Sequence, residues 1–259
     1  MGRNVFRISR DRTIAGRRER YDLGTVTCHC IYLGPLMAAF DLNSDSVRSL
    51  NQHLHDSPPD DLTVINPAGR HCIACGIDSA VEVSIDGHVG YYCAGMNKTA
   101  QVTIGGNAGP GVAENIMSGS VRIKGNASQY AGASGRGGTL IIEGDASARC
   151  GISMKGVDIV VAGSVGHMSA FMAQKGRLVV CGDAGDFLGD SIYEACIYVR
   201  GKVGELGADC IEKEMTSEHV RDLVQLLHST GVDADANEFR RYGSARKLYN
   251  FNVDHADDY

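Results

Sequence analysis

Glycine recurs at intervals of 19 residues in this chain, at Gly87, Gly106, Gly125, Gly144, Gly163, Gly182 and Gly201, each time after a short apolar strand. No insertion interrupts the series. Two residues before each glycine stand Ile85, Ile104, Ile123, Ile142, Val161, Val180 and Val199, all β-branched. Four before it stand Val83, Val102, Val121, Leu140, Ile159, Leu178 and Ile197, and two after it Val89, Ala108, Ala127, Ala146, Val165, Ala184 and Val203. A unit of about 20 residues buries its apolar side only by stacking on its neighbours, which is the signature of a solenoid. The pattern predicts an all-β solenoid: a right-handed parallel β-helix of about seven 19-residue coils. At an inter-strand spacing of about 4.8 Å it forms a prism on the order of 30 Å long. A left-handed helix of hexapeptides would place an aliphatic residue at every sixth position, and none recurs there.

A glycine repeated at one corner answers a backbone need, either a positive φ or close approach between stacked turns. The position seven after it is also small throughout (Ala94, Ala113, Gly132, Gly151, Ala170, Gly189 and Ala208), which predicts tight stacking there. A dinucleotide-binding reading of the glycines requires one strand-loop-helix unit with an acidic partner downstream, and seven copies argue against it. The outward positions three before each glycine are mixed: Ser84, Thr103 and Arg122 are polar, whereas Ile141, Val160, Val179 and Tyr198 form an apolar stripe. Successive strand side chains face opposite sides, so this stripe requires a cover.

Around the repeats at 81–210, the chain divides into a basic extension at 1–36, an N-terminal helix and cap at 37–80, and a C-terminal cap helix and tail at 211–259. The extension carries seven arginines against three acids in a chain of net charge −6. It lacks the apolar stretch of a signal peptide and is read as an upstream extension of the reading frame, with Met37 as the start; the alternative is a disordered arm that clamps a partner. In the next segment Ser44 or Ser46 is the expected N-cap of a helix with Val47, Leu50 and Leu54 on one face, ended by Ser57-Pro58-Pro59. The stretch from Leu62 to Ala80 breaks the 19-residue register and reads as strands and a loop covering the first coil. Val220, Leu223, Val224 and Leu227 mark an amphipathic helix over Thr216 to Ser229, the expected C-terminal cap. The tail from Phe239 has little periodicity and is expected to lie along the prism or on another subunit. No apolar run approaches the roughly 20 residues of a membrane span, and the negative balance disfavours nucleic acid. The expected location is the cytoplasm.

Nine cysteines raise a metal or disulfide reading that their spacing does not support. Cys72 and Cys75 form a single C-x-x-C without a second pair, Cys28 and Cys30 lie in the basic extension, and the other five stand alone. A structural zinc or iron–sulfur site needs four convergent ligands. His88 and His167 stand near coil corners, where each has the chemistry of a general base, but neither has an acidic orienter or a nucleophile nearby in sequence. The residues therefore nominate no catalytic, cofactor-binding or metal-binding site.

The coil resembles the GXGXG domain at the C-terminal end of the large glutamate synthase subunit, and that of the C subunit of formylmethanofuran dehydrogenase. More specific phrases are INPAGRHCIACGI from Ile65, GHVGYYCAGMNK from Gly87, GVAENIMSGSVRIKGNAS from Gly111, MKGVDIVVAGSVGHMSAFMAQKG from Met154 and FRRYGSARKLYNF from Phe239. Together these resemble the stand-alone glutamate-synthase-like subunit of N-methylglutamate synthase (methylamine-glutamate N-methyltransferase), from about Met37 onward. The resemblance implies a heteromeric complex of this subunit, an amidotransferase-like subunit, and a larger one carrying FMN and iron–sulfur clusters. It implies conversion of methylamine and L-glutamate into N-methyl-L-glutamate and ammonia, by flavin-linked formation of an imino acid, amine exchange and reduction.

This chain has neither the N-terminal cysteine nucleophile of such amidotransferases nor a flavin or cluster motif. The implied role is a non-catalytic scaffold, with the stripe Ile141, Val160, Val179 and Tyr198 docking a partner. Alternatives are a C-type β-helix subunit of a formyltransferase or formylmethanofuran dehydrogenase-like complex, a glutamate-synthase-like complex using another amine, and a self-sufficient β-helical enzyme.

Overall fold

The computed structural model describes residues 38–56 and 58–246; the readings made for 1–36, for Cys28 and Cys30, for Ser57 and for 247–259 lie outside them. Its strands are β1 (Ala38–Asp41), β2 (Asp61–Ile65), β3 (Glu82–Asp86), β4 (Gln101–Ile104), β5 (Ser120–Ile123), β6 (Thr139–Ile142), β7 (Lys155–Val161), β8 (Lys175–Val180), β9 (Cys196–Val199), β10 (Cys210–Lys213) and β11 (Arg240–Ser244). The two α-helices are α1 (Val47–Asp56) and α2 (Ser217–Thr230). From β3 to β9 each strand pairs in parallel with the one 19 residues later, so Val83 faces Val102, which faces Val121. This is the β-solenoid that the repeat predicts.

Each coil has a second, shorter ladder and a turn side. Val89, Ala108, Ala127, Ala146, Val165, Ala184 and Val203 form single-residue parallel bridges in series. With the residues two and four before each glycine they fill the interior, where nearly all are buried. On the turn side, alternate residues take left-handed angles, as at Tyr130 (φ 64), Gly132 (φ 68) and Ser134 (φ 54). Tyr130 donates its N–H to Ala148 of the following coil, Gly132 to Val112 of the preceding one, and Ser134 to Ile152 of the following one. The main chain thus satisfies its donors in both axial directions without a regular strand. A left-handed angle at a non-glycine costs on the order of 1–2 kcal/mol and is held by the bonds on either side. The middle residue of the trio points inward, and a Cβ on Gly132 would lie 2.7 Å from Ile159 Cδ1. That contact explains why the position is small in every coil.

The ends differ from expectation in two ways. The stretch from Leu62 is a coil of the solenoid with two extra residues: β2 pairs with β3 at an offset of 21, Leu62 against Val83. β1 extends the sheet in parallel beyond it, and Leu50 and Leu54 of α1 are buried in the same core. The Ser49 N–H donates to Ser46 Oγ at 3.0 Å, so Ser46 is the N-cap. At the other end Arg240–Ser244, expected to be aperiodic tail, forms β11, inserted antiparallel between β9 and β10. Its alternation is too short to register in the sequence.

α2 corrects the expectation of an end cap. It lies over the outer face of the sheet, where Leu223, Leu226 and Leu227 pack with Val160, Val179, Cys181 and Tyr198. Thr216 caps its first turn, and Gly231 closes it in the left-handed conformation (φ 67). Fourteen residues at 1.5 Å each make about 21 Å, the length of four to five coils at about 4.8 Å. Arg122, one coil before Ile141, donates to the carbonyl of Thr230 at the helix's C-terminal end, where a cation is favoured. The outward row therefore turns from polar to apolar where the helix footprint begins. The stripe Ile141, Val160, Val179 and Tyr198 is at most 5 % exposed and is covered by this chain itself; it offers no free docking face.

Candidate functional site

The corner immediately after each glycine carries the most continuous polar constellation. It reads His88, Asn107, Asn126, Asp145, Ser164, Asp183 and Lys202. The Asn107 N–H donates to His88 Nδ1 at 2.8 Å, Asn126 N–H to Asn107 Oδ1 at 2.8 Å, and Asp145 N–H to Asn126 Oδ1 at 2.8 Å. Ser164, Asp183 and Lys202 continue it, each N–H donating to the side chain one coil back. The glycine supplies the space. A Cβ on Gly163 would lie 2.2 Å from Asp145 Oδ1 and 2.7 Å from the Gly144 carbonyl. Close approach, not a positive φ, accounts for the series from Gly106 to Gly201; Gly87 alone has φ 136. The acceptor row escapes a reading by residue type because its chemistry varies, yet every member from His88 to Asp183 places an acceptor atom close to the main chain.

His88 is thus an acceptor for the neighbouring coil. His167, in a coil four steps further on, meets the Phe187 ring edge to face at 5.3 Å. The structure does not bring the two histidines together. Cys75 Sγ donates to the Tyr92 carbonyl at 2.8 Å, and burial pushes its thiol up to about 12. Burial likewise raises Cys93, Cys150 (to about 12), Cys181 and Cys210 (to about 11), so these sulfurs are held as thiols. Among the described residues no group of three or more His, Cys, Asp or Glu side chains gathers as a metal site would require. An open cleft lies at the start of β2 and β3, lined by Asp60, Asp61, Glu82, Thr99 and Gln101. Among the described helices none is long and apolar enough to cross a membrane.

These features form a stack of coils around a continuous core, and the sequence places it among known proteins. No protein-family model matches the chain. It is 60% identical over 228 residues to Protein GlxC of Rhizobium meliloti (strain 1021), a match covering 86% of this chain and 100% of that protein. The chain belongs to the GlxC family. The similarity to GlxC spans that relative from end to end, so it applies to a whole protein and not to one shared module.

Proposed function

We propose that the chain is the non-catalytic scaffold subunit of an N-methylglutamate synthase, converting methylamine and L-glutamate into N-methyl-L-glutamate and ammonia. The supporting observation is that the coil-corner polar residues, His88 included, bond one coil to the next and form no acid–base cluster. The reaction class rests on the five phrases that resemble the glutamate-synthase-like subunit of N-methylglutamate synthase; the 60% identity to GlxC adds that the chain matches a relative along that relative's whole length. The partners are an amidotransferase-like subunit and a larger subunit carrying FMN and iron–sulfur clusters. Among the described residues the cysteines do not fit a cluster: only Cys72, Cys75 and Cys93 lie near one another, short of the four ligands a cluster needs, and burial holds Cys75 and Cys93 as thiols.

With the apolar stripe beneath α2, the docking role passes to the turn side, where Tyr91, Met96, Met172 and Phe187 are 38–49 % exposed. Exposed large apolar side chains of this kind mark interaction surfaces. A column of fixed coil spacing holds two partners at a constant separation, which suits handing a small amine from one to the other. The test is to purify the chain with whatever binds it, identify the partners by mass spectrometry, and assay N-methylglutamate formation with and without them. Turnover only in an assembly with flavin and amidotransferase-like chains supports the proposal. Turnover by the isolated chain, or formyltransferase and hydrolase partners, refutes it.

A further inference from the structure

Cys72 and Cys75 share one turn on the outer side of the first coil. The left-handed angles at Cys72 (φ 58), Ala74 (φ 57) and Gly76 (φ 72) repeat those at Tyr92, Ala94 and Met96 one coil later. Cys72 therefore occupies the place of Tyr92, and Cys75 that of Gly95. In the coils that follow, these two places face each other. A Cβ on Gly95 would lie 2.4 Å from Tyr92 Cε1, and one on Gly111 would lie 2.9 Å from Glu114 Oε2. The Gly95 N–H donates to the Tyr92 carbonyl and the Glu114 N–H to the Gly111 carbonyl, so the two places are the first and last residues of a β-turn. Ile73 and Ala74 are the centre of the corresponding turn in the first coil. The outer Cα atoms of such a turn are less than about 7 Å apart, a separation at which a disulfide can close.

The spacing alone gives this C-x-x-C no second pair; the fold makes its two members partners of each other. Their thiols lie close enough to act on one another. Both are partly exposed, whereas Cys93 and Cys150 are 0 % exposed and belong to the core. Asn51 of α1 donates to the Cys72 carbonyl at 2.8 Å and holds the turn from one side. Cys75 donates to the Tyr92 carbonyl at 2.8 Å, and burial, which raises its thiol to about 12, keeps it protonated. That leaves Cys72 to attack first, because the thiolate is the nucleophile.

We propose that Cys72 and Cys75 are a thiol–disulfide exchange site whose co-reactant is a low-molecular-weight disulfide. The Cys72 thiolate attacks one sulfur of that disulfide, forming a mixed disulfide and releasing the other half as a thiol. Cys75 then attacks the Cys72 sulfur, closing the Cys72–Cys75 bond, and its proton passes to the second departing thiolate. Two protein thiols are oxidised and one disulfide is reduced to two thiols. Closure also withdraws the Cys75 donor from the Tyr92 carbonyl, a contact between the first two coils. The inference is independent of the reaction assigned above.

The reduced full-length chain is equilibrated with glutathione and glutathione disulfide, its remaining thiols are alkylated, and it is cut with trypsin. Cleavage after Arg70 and Lys98 places Cys72, Cys75 and Cys93 on one peptide, which is sequenced by mass spectrometry. That peptide should carry a single alkyl group, on Cys93, and a mass lowered by the two hydrogens of a disulfide, about 2 Da, with all three thiols restored by dithiothreitol. The folded chain should close the pair at a glutathione disulfide level at least about tenfold lower than the chain unfolded in urea, because the fold holds the two places face to face. Cys75→Ser should stop at a glutathione adduct on Cys72, whereas in Cys72→Ser the adduct on Cys75 should form at least about tenfold more slowly. Three alkyl groups on the wild-type peptide, a bond from either cysteine to Cys93, an adduct on Cys72 that Cys75 does not resolve, or equal closure in the folded and unfolded chains overturns the proposal. So does Cys75 reacting in Cys72→Ser as fast as Cys72 does in Cys75→Ser. If a serine variant fails to fold, the wild-type outcomes decide.

Discussion

A ring nitrogen that accepts a main-chain N–H is committed to the fold, and His88 Nδ1 holds Asn107 N–H at 2.8 Å. Replacing His88 by Ala should cost about 0.5–1.5 kcal/mol of stability, the usual worth of one hydrogen bond. His88→Asn should recover most of it, because Asn107 and Asn126 perform the same task one and two coils later. Denaturant unfolding of the three proteins checks this; loss of complex activity in both variants with stability restored in His88→Asn would instead assign the ring a chemical role. The glycine beside it tolerates less. At Gly163 a Cβ would meet main chain at 2.7 Å, so Gly163→Ala should be destabilising by about 2–4 kcal/mol, whereas Gly231, whose surroundings are open, should lose only about 1 kcal/mol for its left-handed angle. The 19-residue glycine spacing was legible because one steric demand recurs unchanged at each corner. The acceptor row was not, because imidazole, amide, carboxylate and hydroxyl all satisfy the same N–H, and residue type alone conceals the shared geometry.

α2 joins two features that were each legible, an amphipathic helix and an outward apolar stripe, while their pairing was not. Only the fold reveals that the helix lies along the axis and that Arg122 marks its far end. Leu223→Ala, at a fully buried position, should cost about 2–5 kcal/mol locally. Hydrogen exchange should accelerate in α2 while β3 and β4, outside its footprint, keep their protection. Uniform acceleration would mean that helix and coils unfold as one unit. Tyr198 gives the same junction a pH signature. Burial raises its hydroxyl to about 12, above the ordinary value of 10.0, so the folded protein keeps the proton where the unfolded chain has lost it. The stabilisation from this group is complete below about pH 10 and is lost as pH rises toward 12. Alkaline titration should therefore release α2, and Tyr198→Phe should delay that release; an identical titration in the variant would assign it to the cysteines instead.

At the scale of the molecule, a solenoid's coils are stabilised by their neighbours, so damage should propagate from where it is placed. β11 closes the last coil by pairing with both β9 and β10, and buries Tyr242 opposite Ile197. Tyr242→Ala should remove about 3–5 kcal/mol of packing from that end, within the range for a buried aromatic side chain. β9, β10 and β11 should then lose exchange protection first, while β3 to β6 stay protected, and light scattering should rise as unpaired strand edges become available to other chains. Gly163→Ala, placed mid-column, should instead divide protection on either side of its coil. If both variants lowered protection equally throughout, the column would be unfolding as one cooperative block, and the nearest-neighbour account of its stability would fail.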